Sequence, residues 1–94
     1  MKNIIEYYYN LRIDELRNSN DIYYFDLKNN HFIFKPFFGN INKCYDIYKL
    51  NNIISNKLNI DNIIPNKFNN PLTKINDIYY ILILNKSKVS LSLP

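Results

Sequence analysis

The segment IYYFDLKNNHFIFKPF, Ile22 to Phe37, decides the fold of this 94-residue chain. Two runs rich in aromatic and β-branched residues flank Asn29-Asn30, and this pattern predicts a β-hairpin. Asn tolerates the positive φ angle that a two-residue type I′ turn requires. Because strand side chains alternate between the two faces of a sheet, one face of this hairpin is strongly apolar and carries Phe25, Leu27, Phe32 and Phe34.

The other face of the hairpin contains one charged residue, Lys35, within an otherwise apolar strand. In the predicted register Lys35 lies opposite Tyr24, and Asp26 lies on its diagonal, within reach of a long side chain. Pro36 predicts that the second strand ends early or lies at a sheet edge. A lysine in an edge strand, partnered by Asp26, would discourage edge-to-edge association.

Helical periodicity appears on both sides of the hairpin. Lys2–Tyr9 has apolar residues spaced for one short helix face. A longer helix from about Ile41 to Leu58 has the broad apolar sector that is typical of a helix lying across a sheet. Asn40 precedes it and is a suitable N-cap. Cys44 lies on its apolar side, where we expect a small core residue.

The second half of the chain predicts further strands. Ile63–Phe68 and Leu72–Ile75 are separated by turn residues. Ile78–Leu84 is a short apolar run rich in β-branched and aromatic residues, which predicts a buried strand. Leu11–Leu16 is ambiguous between helix and strand, and Arg17–Asp21 is predicted to be a polar loop. The predicted fold class is therefore α+β, a small antiparallel sheet covered by one long helix, with a short N-terminal helix.

Residues 1–86 form one predicted domain, and the residues that follow differ in composition. Asn does not occur after Asn85, whereas residues 87–94 contain three serines and the alternating Val89, Leu91 and Leu93. This tail looks truncated.

The composition disfavours several classes of protein. The net charge is only +4 and the lysines are scattered, whereas a nucleic-acid surface usually shows a clustered basic face. The single cysteine excludes an internal disulfide and favours a reducing compartment. The apolar run Ile78–Leu84 is far shorter than the ~20 residues that span a bilayer, and no leader with a cleavage site is evident. We therefore expect a soluble cytoplasmic protein.

Few residues have the chemistry of a catalytic or metal site. His31 lies at the predicted turn, and neither a second histidine nor a cysteine at metal-ligand spacing accompanies it, so we expect a surface role and no metal site. The tyrosine pairs, such as Tyr79-Tyr80, predict one ring in the core and one at the surface. Base stacking is their less favoured interpretation.

The order of these elements resembles a known family. The hairpin IYYFDLKNNHFIFKPF, which carries the strand lysine, is followed by CYDIYKLNNII, then by IIPNKF and IYYILIL. This succession is similar to the N-terminal lobe of the protein-kinase-like fold. The group it most resembles is that of the aminoglycoside phosphotransferases and spore-coat-kinase-like proteins, and the resemblance covers residues 5–86.

The resemblance implies roles for two residues. Lys35 would contact the α- and β-phosphates of a nucleotide such as ATP. Asp46, the only acidic residue of the long helix, would pair with Lys35. A glycine-rich loop is expected at Arg17–Asp21, but the only glycine of the chain is Gly39. The catalytic loop and the metal-binding aspartate would belong to a second lobe, so no catalytic residue is assigned.

The predicted function is therefore that of an incomplete kinase-like lobe, without catalysis of its own, with at most a binding or scaffolding role. Its partner would be the missing C-terminal lobe or another copy of the chain. The resemblance implies that, without that lobe, the apolar residues of Ile78–Leu93 face water and favour self-association. Two alternatives stay open. One is a standalone protein-interaction module with a tyrosine-rich surface, and the other is a weak RNA-binding domain.

Overall fold

The computed structural model describes residues 1–58 and 62–85 and shows an α+β fold, which confirms the predicted class. Two helices and six antiparallel strands are described. In chain order they are α1 Lys2–Tyr9, β1 Arg17–Ser19, β2 Ile22–Leu27, β3 Asn30–Pro36, α2 Ile41–Leu58, β4 Asn62–Ile64, β5 Leu72–Ile75 and β6 Ile78–Asn85.

Strand β6 is the central strand of the sheet. The strand order is β1-β2-β3-β6-β4, and β5 also pairs with β6. Ile81, for example, lies between Lys35 of β3 and Leu72 of β5. The expectation that Ile78–Leu84 faces water is therefore wrong, because strands on both sides and the core bury its middle, with Leu82 fully buried. The predicted apolar tail, residues 87–94, lies outside the described residues.

One face of the sheet, which we call the α1 face, carries the larger core. Phe25 and Phe34 are fully buried there, as the hairpin pattern predicts. Phe25 stacks on Phe32 with ring centroids 5.1 Å apart, and Phe34 stacks on Tyr80 at 4.9 Å. Helix α1 covers this face through Ile5, which is also fully buried. Each buried aromatic ring removes a large apolar area from water, so these rings contribute to the stability of this half of the domain.

The segment after α1 is neither helix nor strand. Asn10 adopts a left-handed conformation with φ 50° and ends the helix. The Glu6 side chain then accepts a hydrogen bond from the Ile13 backbone N–H at 2.8 Å. This contact places Ile13 in the core of the α1 face. The segment Leu11–Leu16 is therefore anchored by one buried side chain and shows neither a helical nor a strand pattern.

Helix α2 lies on the opposite face of the sheet, which we call the α2 face. Asn40 caps it as predicted, because its Oδ1 accepts a hydrogen bond from the Lys43 N–H at 3.1 Å. Cys44 is buried in a second, smaller core with Ile63, Leu72 and Ile81. These partners belong to β4, β5 and β6 alone. The prediction that the long helix covers the sheet is therefore wrong, and within residues 1–58 and 62–85 no element packs over β1, β2 and much of β3 on this side.

The hairpin register differs from the predicted one by two residues. Lys28 and Asn29 form the turn, with φ angles of 50° and 68°, and Phe25 lies opposite Phe32. A shift of two residues leaves every side chain on its predicted face, so hydrophobic alternation cannot distinguish the two registers. The observed register stacks Phe25 on Phe32 and places Asp26 opposite His31, whereas the predicted one would set Lys28 opposite His31.

The predicted polar loop Arg17–Asp21 is partly a strand. Arg17–Ser19 forms β1 and pairs with β2, and Asn20 turns the chain with a φ of 58°. All three residues of β1 are exposed. A short polar strand of this kind completes a sheet edge without offering an apolar edge for aggregation.

The connection between β4 and β5 is organised by one buried polar residue, Asn66. Its side-chain oxygen accepts hydrogen bonds from the Phe68 and Asn70 backbone N–H groups at 2.9 and 3.2 Å. Its amide group donates to the Leu72 carbonyl at 3.3 Å and to the Thr73 hydroxyl at 3.1 Å. Buried polar groups are tolerated when their hydrogen bonds are complete, and Asn66 meets this requirement.

Candidate functional site

Within residues 1–58 and 62–85, the uncovered half of the α2 face is one part of the sheet that a ligand can reach. It is formed by side chains of β1, β2 and β3, and directly opposite residues share this face. We call it the open surface, and its residues are Arg17, Tyr24, Asp26, His31, Ile33 and Lys35. None of these side chains is fully buried. The surface therefore combines charged, aromatic and aliphatic groups on the β1–β2–β3 part of the sheet.

Lys35 lies in an interior strand, between β2 and β6, and not in an edge strand as one interpretation predicted. It is exposed and forms no ion pair within 4.0 Å in residues 1–58 and 62–85. Asp26 lies opposite His31, four residues from Lys35 along β3, which corresponds to about 13 Å of strand. The expected Lys35–Asp26 pair is therefore wrong, because the observed register moves the carboxylate away.

Asp26 instead forms a charged cluster with two other residues. It contacts His31 Nδ1 directly across the hairpin and Arg17 from β1, with 3.5 Å between the Arg17 guanidinium and the carboxylate. The hydrogen bond to His31, and then the charges of His31 and Arg17, lower the pKa of Asp26. The sequence analysis missed this cluster. A correct register would have revealed it, because it sets an acid directly opposite the only histidine.

The second predicted site residue, Asp46, is exposed on α2. Lys35 is on β3 and belongs to the α2 face of the sheet. Asp46 is on α2, the helix that packs on that face. No ion pair joins them in the described part of the chain. Their pairing and the contact of Lys35 with nucleotide phosphates both remain predictions.

The expected position of a glycine-rich loop is a tight turn. Asn20 and Asp21 link β1 to β2, and both are exposed. A two-residue turn offers few backbone N–H groups for a phosphate. Gly39 lies between β3 and α2, away from this turn. Any phosphate on the open surface would therefore be held by side chains.

A second exposed surface lies at the end of α1. Lys67 lies over the Tyr7 ring with its Nζ 3.3 Å from the centroid, and Tyr8 contacts Tyr7 and Phe68 edge-on. Tyr7 is 56% exposed and Phe68 is 62% exposed. We call these four residues the aromatic patch. Aromatic residues such as Tyr and Phe are enriched at protein interfaces.

Cys44 is a residue of the smaller core. Burial raises the pKa of the Cys44 thiol, which agrees with its predicted place in the core. Among residues 1–58 and 62–85, no group of three His, Cys, Asp or Glu side chains is placed to hold a metal ion. In the same residues, neither helix has the length and apolar character needed to cross a membrane.

Comparisons with known proteins identify no relative of this chain. The chain matches no protein-family model, and no curated protein or solved structure is significantly similar to it. The open surface and the aromatic patch therefore have to be interpreted from their own chemistry.

Proposed function

We propose that the chain is a binding module in which Lys35 contacts the phosphates of a nucleotide, in the manner of an incomplete kinase-like lobe. The observation that carries the proposal is an exposed lysine in an interior strand, on the uncovered half of the sheet. Lysine is disfavoured in strands, and Lys35 has no carboxylate partner in the described residues.

The chemistry of the surroundings suits a nucleotide. The lysine ammonium is a compact point charge that binds phosphate groups. Tyr24 lies on the diagonal of Lys35 in the observed register, and Ile33 is its neighbour on the same face of β3. Both side chains are half-buried and offer an aromatic and an aliphatic wall to a base.

The proposal includes no phosphoryl transfer. Transfer requires metal ligands and a residue that orients the nucleophile, and neither role is assigned to a residue of this chain. Because the β1–β2 turn is short and Arg17 is paired with Asp26, Lys35 would be the main group that neutralises the phosphates, and we expect weak, salt-dependent binding. A binding or scaffolding role follows from this chemistry.

A thermal-shift titration with ATP and magnesium tests the proposal. We expect ATP to raise the unfolding temperature of the wild-type chain and of Lys49→Ala, a matched control on the exposed side of α2. Lys35→Ala should lose this response. Each variant is compared with itself without ATP, so that a change in its own stability does not matter. No shift in the wild type, or an equal shift in Lys35→Ala, would exclude Lys35 as the phosphate contact.

The aromatic patch favours a second candidate, a protein-interaction module. The Tyr7 and Phe68 rings remain exposed, whereas other aromatic rings of the chain are buried in the core. If a second copy of the chain binds there, sedimentation velocity should show a concentration-dependent dimer that disappears in the double variant Tyr7→Ser, Phe68→Ser. A monomer at all concentrations, or a dimer that survives both substitutions, would exclude the patch as the dimer contact.

A further inference from the structure

A groove on the α1 face lies on the side of the sheet opposite Lys35. One wall is the segment after α1, and the other is the end of the β2–β3 hairpin. The lining residues are Leu11, Arg12, Leu27, Lys28, Asn30 and Phe32, and the volume is about 400 Å³. From this groove we infer that the chain binds a small amphiphilic carboxylate, such as a medium-chain fatty acid, independently of the proposed function of the open surface.

The floor of the groove is apolar. Leu11, Leu27 and Phe32 pack against the margin of the larger core, and all three are half-exposed. They are held in place by the core itself, since Phe32 stacks on the buried Phe25. The Glu6–Ile13 hydrogen bond fixes the opposite wall. The groove is therefore preformed, and an apolar chain that enters it removes these side chains from water.

The rim of the groove is cationic. Arg12 and Lys28 are exposed, and neither forms an ion pair within 4.0 Å in residues 1–58 and 62–85. No lining residue is acidic, and Asn30 adds a neutral polar group. Two cations beside an apolar floor complement a ligand that has an anionic head and an apolar body.

The position of Lys28 adds a separate argument. It is the first residue of a two-residue turn and has a φ of 50°, a conformation in which Asn or Gly is usual. The turn holds the ammonium group at the end of the hairpin, next to the groove. Lys28 thus occupies a turn position whose backbone conformation favours Asn or Gly.

The size of the groove selects the ligand class. Small-molecule sites have volumes of about 300–1,000 Å³, and this groove is near the lower limit of that range. It suits one acyl chain better than a two-chain lipid. A carboxylate is the head group because two donors, one of them a planar guanidinium, match its two oxygens.

Titration of the ¹⁵N-labelled full chain with decanoate below its micellar concentration tests the inference. We expect saturable shifts of the backbone amide signals of Leu11, Leu27 and Phe32. Affinity should rise with chain length, by up to about fourfold per methylene between octanoate and decanoate. Decyltrimethylammonium, which has the same chain and the opposite charge, should bind more weakly than decanoate.

Substitutions at the rim separate a specific site from nonspecific hydrophobic binding. Arg12→Gln and Lys28→Gln should each weaken decanoate binding by up to about fivefold, the scale of an exposed ion pair. Both are exposed residues, so the fold should be unaffected, and Lys49→Gln on α2 serves as the matched control with unchanged affinity.

Three results would overturn the inference. The first is the absence of saturable shifts at these amides, and the second is equal binding of the cationic and anionic probes. The third is binding to anionic phosphatidylglycerol vesicles combined with no response to decanoate, which would make the groove part of a membrane-binding surface.

Discussion

Replacement of Asn66 by alanine should destabilise this chain more than any exposed substitution. Asn66 is only 7% exposed, and its side chain makes the four hydrogen bonds that organise the β4–β5 connection. A protein hydrogen bond contributes about 1 kcal/mol net, and a buried group left without a partner costs about 1–3 kcal/mol. We therefore expect Asn66→Ala to lower the free energy of unfolding by about 3–4 kcal/mol.

Urea denaturation followed by circular dichroism measures this loss. The total stability of a domain is about 5–15 kcal/mol, so a large part of it should be removed. For a chain of this size the loss corresponds to a decrease in the melting temperature of about 12–30 °C. Asn3→Ala, which removes the same amide group from an exposed position of α1, should leave stability unchanged or slightly raised.

Hydrogen exchange tests the origin of the loss. If Asn66 acts through its hydrogen bonds, the amide protons of Phe68 and Asn70 should lose protection beyond the global decrease in stability. A loss of less than about 1 kcal/mol, or unchanged protection at both amides, would refute the view that this side chain organises the connection.

Three further predictions follow from single residues. Burial raises the pKa of Tyr9 to about 12, with the hydrogen bond to Thr73 opposing it. Since the pKa of Tyr9 is higher in the folded than in the unfolded chain, the contribution of Tyr9 to stability is complete below pH ~10. The free energy of unfolding should then decrease by about 2–3 kcal/mol as the pH rises toward ~12. Tyr9→Phe should reduce this alkaline loss in urea titrations, and an identical loss would contradict the assignment. The pKa of Asp26 is lowered, so its contribution is present above the ordinary pKa of about 3.9 and is lost as the pH falls through the lower folded value. Asp26→Asn should therefore flatten the acid part of the melting profile, whereas an unchanged profile would assign acid sensitivity to other groups. Lys28→Asn should stabilise the chain by about 1 kcal/mol, because Asn tolerates the left-handed turn conformation. A decrease in stability would show that the lysine side chain makes a stabilising contact.

Much of the secondary structure could be predicted from local signals. The bounds of α1 and α2, the Asn40 cap and the end of β3 at Pro36 agree with the predictions. These features depend on residues within one or two turns of each other, so a periodicity or a cap is sufficient to locate them. The apolar hairpin face was also correct, since strand alternation does not depend on register.

The candidate site could be predicted only in part. Lys35 was placed on the correct face of its strand, but its neighbours were not, because a two-residue register shift preserves the faces and changes every cross-strand partner. The Asp26–His31 contact and the Lys28–Asn29 turn both depend on that register. Packing of Phe25 on Phe32 favours it, and such pairing is not visible in a hydrophobic pattern.

The sequence by itself therefore determined the α+β class, the two helices and the apolar face of the hairpin, since these depend on local periodicity and capping. Only the tertiary structure decided which strand is central. β6 was predicted to be a buried strand, but one that needs a second lobe to cover it, whereas it lies between β3 and the β4–β5 pair of the same domain. Likewise, only the tertiary structure decided that α2 packs on β4, β5 and β6, which leaves the Lys35 side of the sheet uncovered in the described part of the chain. Contacts between residues far apart in the chain decide both features, strand pairing for β6 and helix packing for α2, because the free energy of burial depends on these distant partners.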